Sequence, residues 1–174
     1  NKDMVDWNYT GPKETAETFN KYEKNKDTLI FDAGCGTGLV GLELKKYSFK
    51  NFHGADLSQT LLDTVPKDLY QKLVKVDLNK PIEVEDNFYG GVMCVGTFTF
   101  GHVKPNALDE FIRITKPGGL ICFTINEGIH EEYGFDKKID ILKDSKKWKE
   151  VEFFKSDYIA VSYTHLTLPT SGGV

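Results

Sequence analysis

From Thr28 onward, short apolar runs alternate with stretches in which apolar residues recur at helical spacing. Runs of four to eight apolar residues between turn residues suit strands buried on both faces, and spacings of three and four suit helices laid against such a sheet. TLIFDA is the first predicted strand; it breaks into GCGTG and then into GLVGLELKKYS, where Val40 and Leu44 stand four apart and Lys45 and Lys46 close the last turn. A second strand is expected near Asn51 to Ala55 and ends at Asp56, with Ser58 placed to cap a short helix that Pro66 interrupts. A third, from about Lys72 to Val76, ends at Asp77. The fourth, GGVMCVGTF, precedes a helix opened by Pro105 in which Leu108, Phe111 and Ile112 share one face. KPGG reads as a turn into the fifth strand, LICFTIN. Beyond it lie a polar, aromatic loop (EGIHEEYGF), a lysine-rich helical stretch ending near Lys147, and WKEVEFFKSDYIAV, which suits a final strand pair. Upstream, Pro12 fits the first turn of a helix with Ala16, Phe19 and Tyr22 on one side.

This order predicts a single-domain α/β fold, a doubly wound and mainly parallel sheet with helices on both faces. A length of 174 residues supports one full core and not two. The expected organisation is an amino-terminal cap and helix over 1–27, with a piece of its start expected to be missing, then the sheet domain over 28–160. The stretch VSYTHLTLPTSGGV carries no acid, lysine or arginine and resembles translated sequencing-adapter read-through, so 161–174 reads as a suspect non-native tail.

Composition narrows the function classes. A net charge of −4 disfavours a nucleic-acid partner, and the absence of a long apolar run disfavours a membrane span, leaving a cytoplasmic location as the default expectation. Cys35, Cys94 and Cys122 match neither a zinc motif nor a disulfide framework, so no metal site is expected and the thiols read as reduced and buried.

The phrase Asp32-Ala33-Gly34-Cys35-Gly36-Thr37-Gly38 is the most informative in the chain, because glycines at a strand-to-helix turn let backbone N–H groups approach a ligand directly. Gly36, Gly38 and Gly41 also satisfy G-x-G-x-x-G, so an NAD(P)-binding oxidoreductase is weighed. Asp32 tips the balance: a carboxylate at the strand's end repels a pyrophosphate and favours a cationic ligand such as S-adenosylmethionine. Asp56 stands where an acid accepts from both hydroxyls of a ribose, and Asp77 where one accepts from the amine of adenine, with Leu57 and Leu78 on the two faces of the ring.

DAGCGTG, GADLS, VDL, VGTFTFGHV and ITKPGGL resemble, in order, the motifs of class I methyltransferases, specifically the small-molecule-type branch that includes the Williams-Beuren region methyltransferase-like proteins. The resemblance spans roughly residues 5 to 160. It implies that Asp32 and Gly34, Cys35, Gly36 and Gly38 hold the methionyl part of S-adenosylmethionine, Asp56 the ribose, and Asp77 with Leu78 the adenine. It further implies that backbone at Gly96 and Thr97 meets the methionine amino group and that Trp7 and Tyr9 belong to a cap. One departure is Gly90, where family members usually carry an acid; glycine there is expected to loosen the strand entry. The acceptor is expected to be a small molecule, in a pocket drawn from the aromatics Phe88, Phe98, Phe100 and Tyr133. His102, and more weakly His130, are the candidates to contact it, with His102 the candidate catalytic residue. A non-catalytic binding module of the same fold is the alternative from another class.

Overall fold

The computed structural model describes residues 10–99, 103–155 and 158–165, the last of these through the backbone and the Tyr163 side chain. Five helices and seven strands follow in the order α1 (Gly11–Tyr22), β1 (Leu29–Ala33), α2 (Leu39–Lys45), β2 (Asn51–Asp56), α3 (Gln59–Leu62), β3 (Lys72–Lys75), β4 (Tyr89–Phe98), α4 (Ala107–Ile114), β5 (Thr115–Asn126), α5 (Phe135–Asp144), β6 (Trp148–Lys155) and β7 (Tyr158–His165). They build one sheet ordered β3-β2-β1-β4-β5-β7-β6. The β1–β2, β1–β4, β2–β3 and β4–β5 pairs are parallel, and β7 runs antiparallel between β5 and β6. The expected doubly wound, mainly parallel architecture is therefore present.

Two apolar layers cover the sheet. Ala16, Phe19, Val40, Leu44 and Leu62 bring α1, α2 and α3 onto one face, and Leu108, Phe111, Ile139 and Leu142 bring α4 and α5 onto the other. Ser58 caps α3 as expected, its Oγ accepting from Leu61 N–H at 3.2 Å. Tyr22 departs from the expected buried side: it is 41% exposed, and its hydroxyl donates to Glu152 Oε1 on β6 at 2.9 Å. Among the described residues, no helix is long and apolar enough to cross a membrane.

Two sequence expectations change. KPGG does not break the chain before β5; it lies within that strand, where the register passes from Tyr89↔Thr115 to Gly91↔Leu120. One residue of β4 thus faces four of β5, and the surplus is taken up as a bulge with Gly118 at φ +84°. Gly90 sits opposite that bulge, and a Cβ there would overlap Thr28 Oγ1, so the glycine accommodates a close approach and is not merely a loosened strand entry. The second change concerns the tail. Residues 161–165 belong to β7, which pairs with β5 from Asn126↔Tyr158 to Leu120↔Thr164, and the buried Tyr163 ring stacks on Trp148 at 4.0 Å.

Candidate functional site

The strand order reverses between β1 and β4, which opens a crevice at the carboxyl ends of the parallel strands where doubly wound sheets receive ligands. A cleft of about 510 Å³ lies there. Gly34 to Thr37 after β1, Asp56 and Leu57 after β2, Val76 to Asn79 after β3, and Val95 to Thr97 on β4 all line it, joined by Pro12, Leu61, Thr99 and Val103. Of the residues singled out by the sequence, Gly34, Cys35, Gly36, Asp56, Leu57, Asp77, Leu78, Gly96 and Thr97 thus meet at one site. Trp7, Tyr9, Phe100 and His102 lie outside the described residues.

The glycine turn is held from within. Gly34 and Cys35 N–H both donate to Ala55 O, at 2.7 and 2.9 Å, and Gly38 N–H donates to Cys35 O at 2.9 Å. Gly36 N–H donates to Asp56 Oδ2 at 2.9 Å, while Asp56 Oδ1 accepts from Ser58 N–H at 2.9 Å. The expectation that these N–H groups face a ligand is corrected, since four of them are already spent on the protein. What the turn offers is proximity: a Cβ at Gly34, whose φ is +72°, would overlap Thr97 Oγ1. Gly96 N–H is likewise taken, by Thr124 Oγ1 at 2.8 Å.

Asp77 Oδ1 accepts from Asn79 N–H, and Asn79 Oδ1 accepts from Lys104 N–H, tying the loop after β3 to the segment before α4. Further along that loop, Arg113 donates to the carbonyls of Ile82 and Val84 and pairs with Glu110 and Asp86. The loop after β3 is thereby pinned to α4. Leu78 is buried and Leu57 is 61% exposed, so one wall of that end of the cleft is core and the other is open.

Asp32 does not line the cleft. It is 1% exposed, one oxygen accepts from the Tyr70 hydroxyl at 2.5 Å, and Oδ1 is buried with no hydrogen-bond partner among the described residues. Burial pushes its carboxyl up to about 7, opposed by the Tyr70 hydrogen bond and reinforced by the nearby Asp56 charge. Gly38 also stands away from the cleft, against Val65, Leu69 and Tyr70. Burial drives the thiols of Cys35 and Cys94 up as well, so neither is a nucleophile at neutral pH.

The aromatic set proposed for an acceptor pocket is dispersed. Phe98 is core, packed on Phe111, Phe123 and Phe135. Phe88 stacks beside His53 and Tyr89 at the start of β4, roughly 25 Å along the strand from Gly96. His53 bonds the Tyr89 hydroxyl there, and burial lowers its pKa. Tyr133 packs partly buried against the core, with Lys104 Nζ 5.4 Å from its ring centroid. Residues that sequence reasoning missed include Asn79, Val95 and, beneath the turn, Tyr70.

Comparison with known proteins agrees with this geometry. Residues 31–123 match the family described as Methyltransferase domain. Methyltransferase-like protein 27 of Homo sapiens is 33% identical over 126 residues, covering 70% of this chain and 51% of that protein. The chain thus spans about half the length of this curated relative. Among solved structures, a Haloferax volcanii protein in complex with the Trm112 methyltransferase activator superposes with a TM-score of 0.74 at 16% identity, over 95% of this chain and 93% of that one. An S-adenosylmethionine dependent methyltransferase from Mesorhizobium loti gives a TM-score of 0.68 at 13% identity, over 89% and 100%.

Proposed function

Because the chain belongs to the class I S-adenosylmethionine-dependent methyltransferases, we propose that it binds S-adenosylmethionine in this cleft and transfers the methyl group to a small-molecule acceptor. The observation that carries the reading is the charge and donor inventory of the site. Asp56 and Asp77 line the cleft, no lysine or arginine does so among the described residues, and four N–H groups of the glycine turn are already bonded within the protein. A pyrophosphate needs free N–H groups or cations, which disfavours a nicotinamide dinucleotide. A sulfonium ligand with an ammonium group needs acceptors and negative charge, and these are present. The same lack of basic residues disfavours an RNA or DNA acceptor.

When bound, S-adenosylmethionine supplies a methyl group on a positively charged sulfur, which a lone pair on the acceptor displaces in line. The chain's own contribution is placement: Asp56 accepts from the ribose hydroxyls, Asp77 from the adenine amine, and Leu57 and Leu78 flank the ring. Holding donor and acceptor aligned lowers the barrier by roughly 7–11 kcal/mol. His102, between β4 and α4, takes the proton that the acceptor loses.

In calorimetry and thermal melts, S-adenosylmethionine and S-adenosylhomocysteine are expected to bind and, at a hundredfold excess over Kd, to raise the melting temperature by roughly 5–10 °C. NAD and NADP are expected to do neither. Binding of NAD without either adenosylated ligand would reverse the assignment. For the acceptor, labelled cofactor is offered to a metabolite pool, an RNA pool and a protein lysate. Label is expected in the metabolites and to be lost with His102→Ala; label in RNA or protein alone would refute the small-molecule reading.

A further inference from the structure

We propose that Tyr70 is a positioning residue of the cofactor site, whose phenol secures one oxygen of Asp32 so that the other stands beneath the glycine turn as counter-charge for a cationic ligand. The proposal rests on the S-adenosylmethionine reading of the cleft. Tyr70 reaches Asp32 from a segment 38 residues further along the chain, just before β3. Its ring occupies a slot cleared by two glycines. A Cβ at Gly41 on α2 would stand 2.7 Å from the phenol oxygen, and one at Gly54 on β2 would stand 2.9 Å from Cδ2 and Cε2. The third glycine of the G-x-G-x-x-G spacing therefore makes room for Tyr70.

The titratable groups facing Asp32 are Tyr70, Asp56 on β2, Cys35 on the turn and Cys94 on β4. No lysine, arginine or histidine among the described residues supports its charge. Its carboxyl, ordinarily at 3.8, is raised to about 7, so between those values the folded chain holds more protons here than the unfolded one. Stability contributed by this group is consequently lost as pH rises through that window. A cation bound above it reverses that penalty by favouring the ionised form. Tyr70, which donates to the carboxylate, pulls in the same direction, and removing its hydroxyl raises the carboxyl further.

The test is the pH profile of S-adenosylmethionine affinity for the full chain between pH 5.5 and 7.5. Wild-type affinity is expected to fall toward tenfold per unit below about 7, the pH range of the Asp32 carboxyl. In Tyr70→Phe that limb moves to higher pH and affinity at pH 6 falls further, since a hydrogen bond to the charged form holds a pKa down. Affinity of Asp32→Asn should be weak and flat across the range. Carbon NMR of the Asp32 carboxyl in the ligand-free chain gives a second readout, with its midpoint expected to rise in Tyr70→Phe. Wild-type and Tyr70→Phe profiles that share one midpoint would make Tyr70 a packing residue and overturn this proposal alone. Failure of the wild-type chain to bind at any pH would overturn the cofactor reading together with it. Should Tyr70→Phe not fold, Gly41→Ala, whose Cβ would crowd the phenol oxygen at 2.7 Å, takes its place: a limb moved to higher pH would uphold the proposal, and a profile superposed on that of wild type would overturn it.

Discussion

Removing residues 162–174 is expected to lower the melting temperature by roughly 6–20 °C. The cut takes away Tyr163, which is buried, stacked on Trp148 of β6 with ring centroids 4.0 Å apart, and packed against Phe123 of β5 at 5.9 Å. It also removes the β7 half of the pairs Leu120↔Thr164, Ile121↔Tyr163 and Trp148↔His165. Deleting a buried aromatic side chain costs about 3–5 kcal/mol. For a chain of this size each kcal/mol moves the midpoint by about 2–4 °C. Tyr163→Ala in the full chain should reproduce most of the effect, because the stack and not the backbone pairing carries the apolar area. A change of less than about 2 °C on truncation would instead mean that the segment adds little to the stability of the fold.

The legible part of the fold was written in periodicity. Strands buried on both faces give continuous apolar runs, so LIFDA and VMCV are found by eye, and α4 is found from Leu108, Phe111 and Ile112, all of which are buried. Asp56 and Asp77 were legible as candidate site residues because an acid at or just past the end of a parallel strand stands at its carboxyl edge, and both do line the cleft. Asp32 resembles them in sequence yet ends up beneath the turn. It stands one residue short of the end of β1, where both faces are covered, and a partner 38 residues away decides its environment. No local pattern announces Tyr70, although Gly41 and Gly54, small residues inside a helix and a strand, were a sign that something bulky approaches. The aromatics failed as site markers for the opposite reason. Phe88 and Phe98 bracket β4 within ten residues, but a strand spreads them to opposite ends of the sheet. In the tail, a composition suggestive of read-through is compatible with strand pairing, since backbone hydrogen bonds read no sequence and Tyr163 alone supplies a fitting apolar ring.

Asp56→Ala is expected to weaken S-adenosylmethionine by roughly 100-fold or more. Hydrogen bonds from ribose hydroxyls to a carboxylate contribute about 1.5–3 kcal/mol, which alone corresponds to roughly 10- to 150-fold. Asp56 has a second role beside the proposed ribose contact. Its Oδ2 fixes Gly36 N–H at 2.9 Å and its Oδ1 fixes Ser58 N–H at 2.9 Å, so the same carboxylate sets the turn after β1 and the entry to α3. Alanine releases both, and the flat floor of the cleft must be re-ordered at the moment of binding, which adds to the lost contact. Asp56→Asn separates the two roles. Its amide oxygen keeps one of the two N–H groups, while its NH2 can only donate and faces the other N–H, so the turn is half held and affinity should fall by about tenfold. Calorimetry gives the affinities, and thermal melts of the ligand-free variants report the loss of the loop anchors separately, about 1–3 kcal/mol for Asp56→Ala. A folded Asp56→Ala that binds with unchanged affinity would mean that the ribose lies elsewhere and that the turn holds its shape through the Ala55 carbonyl alone.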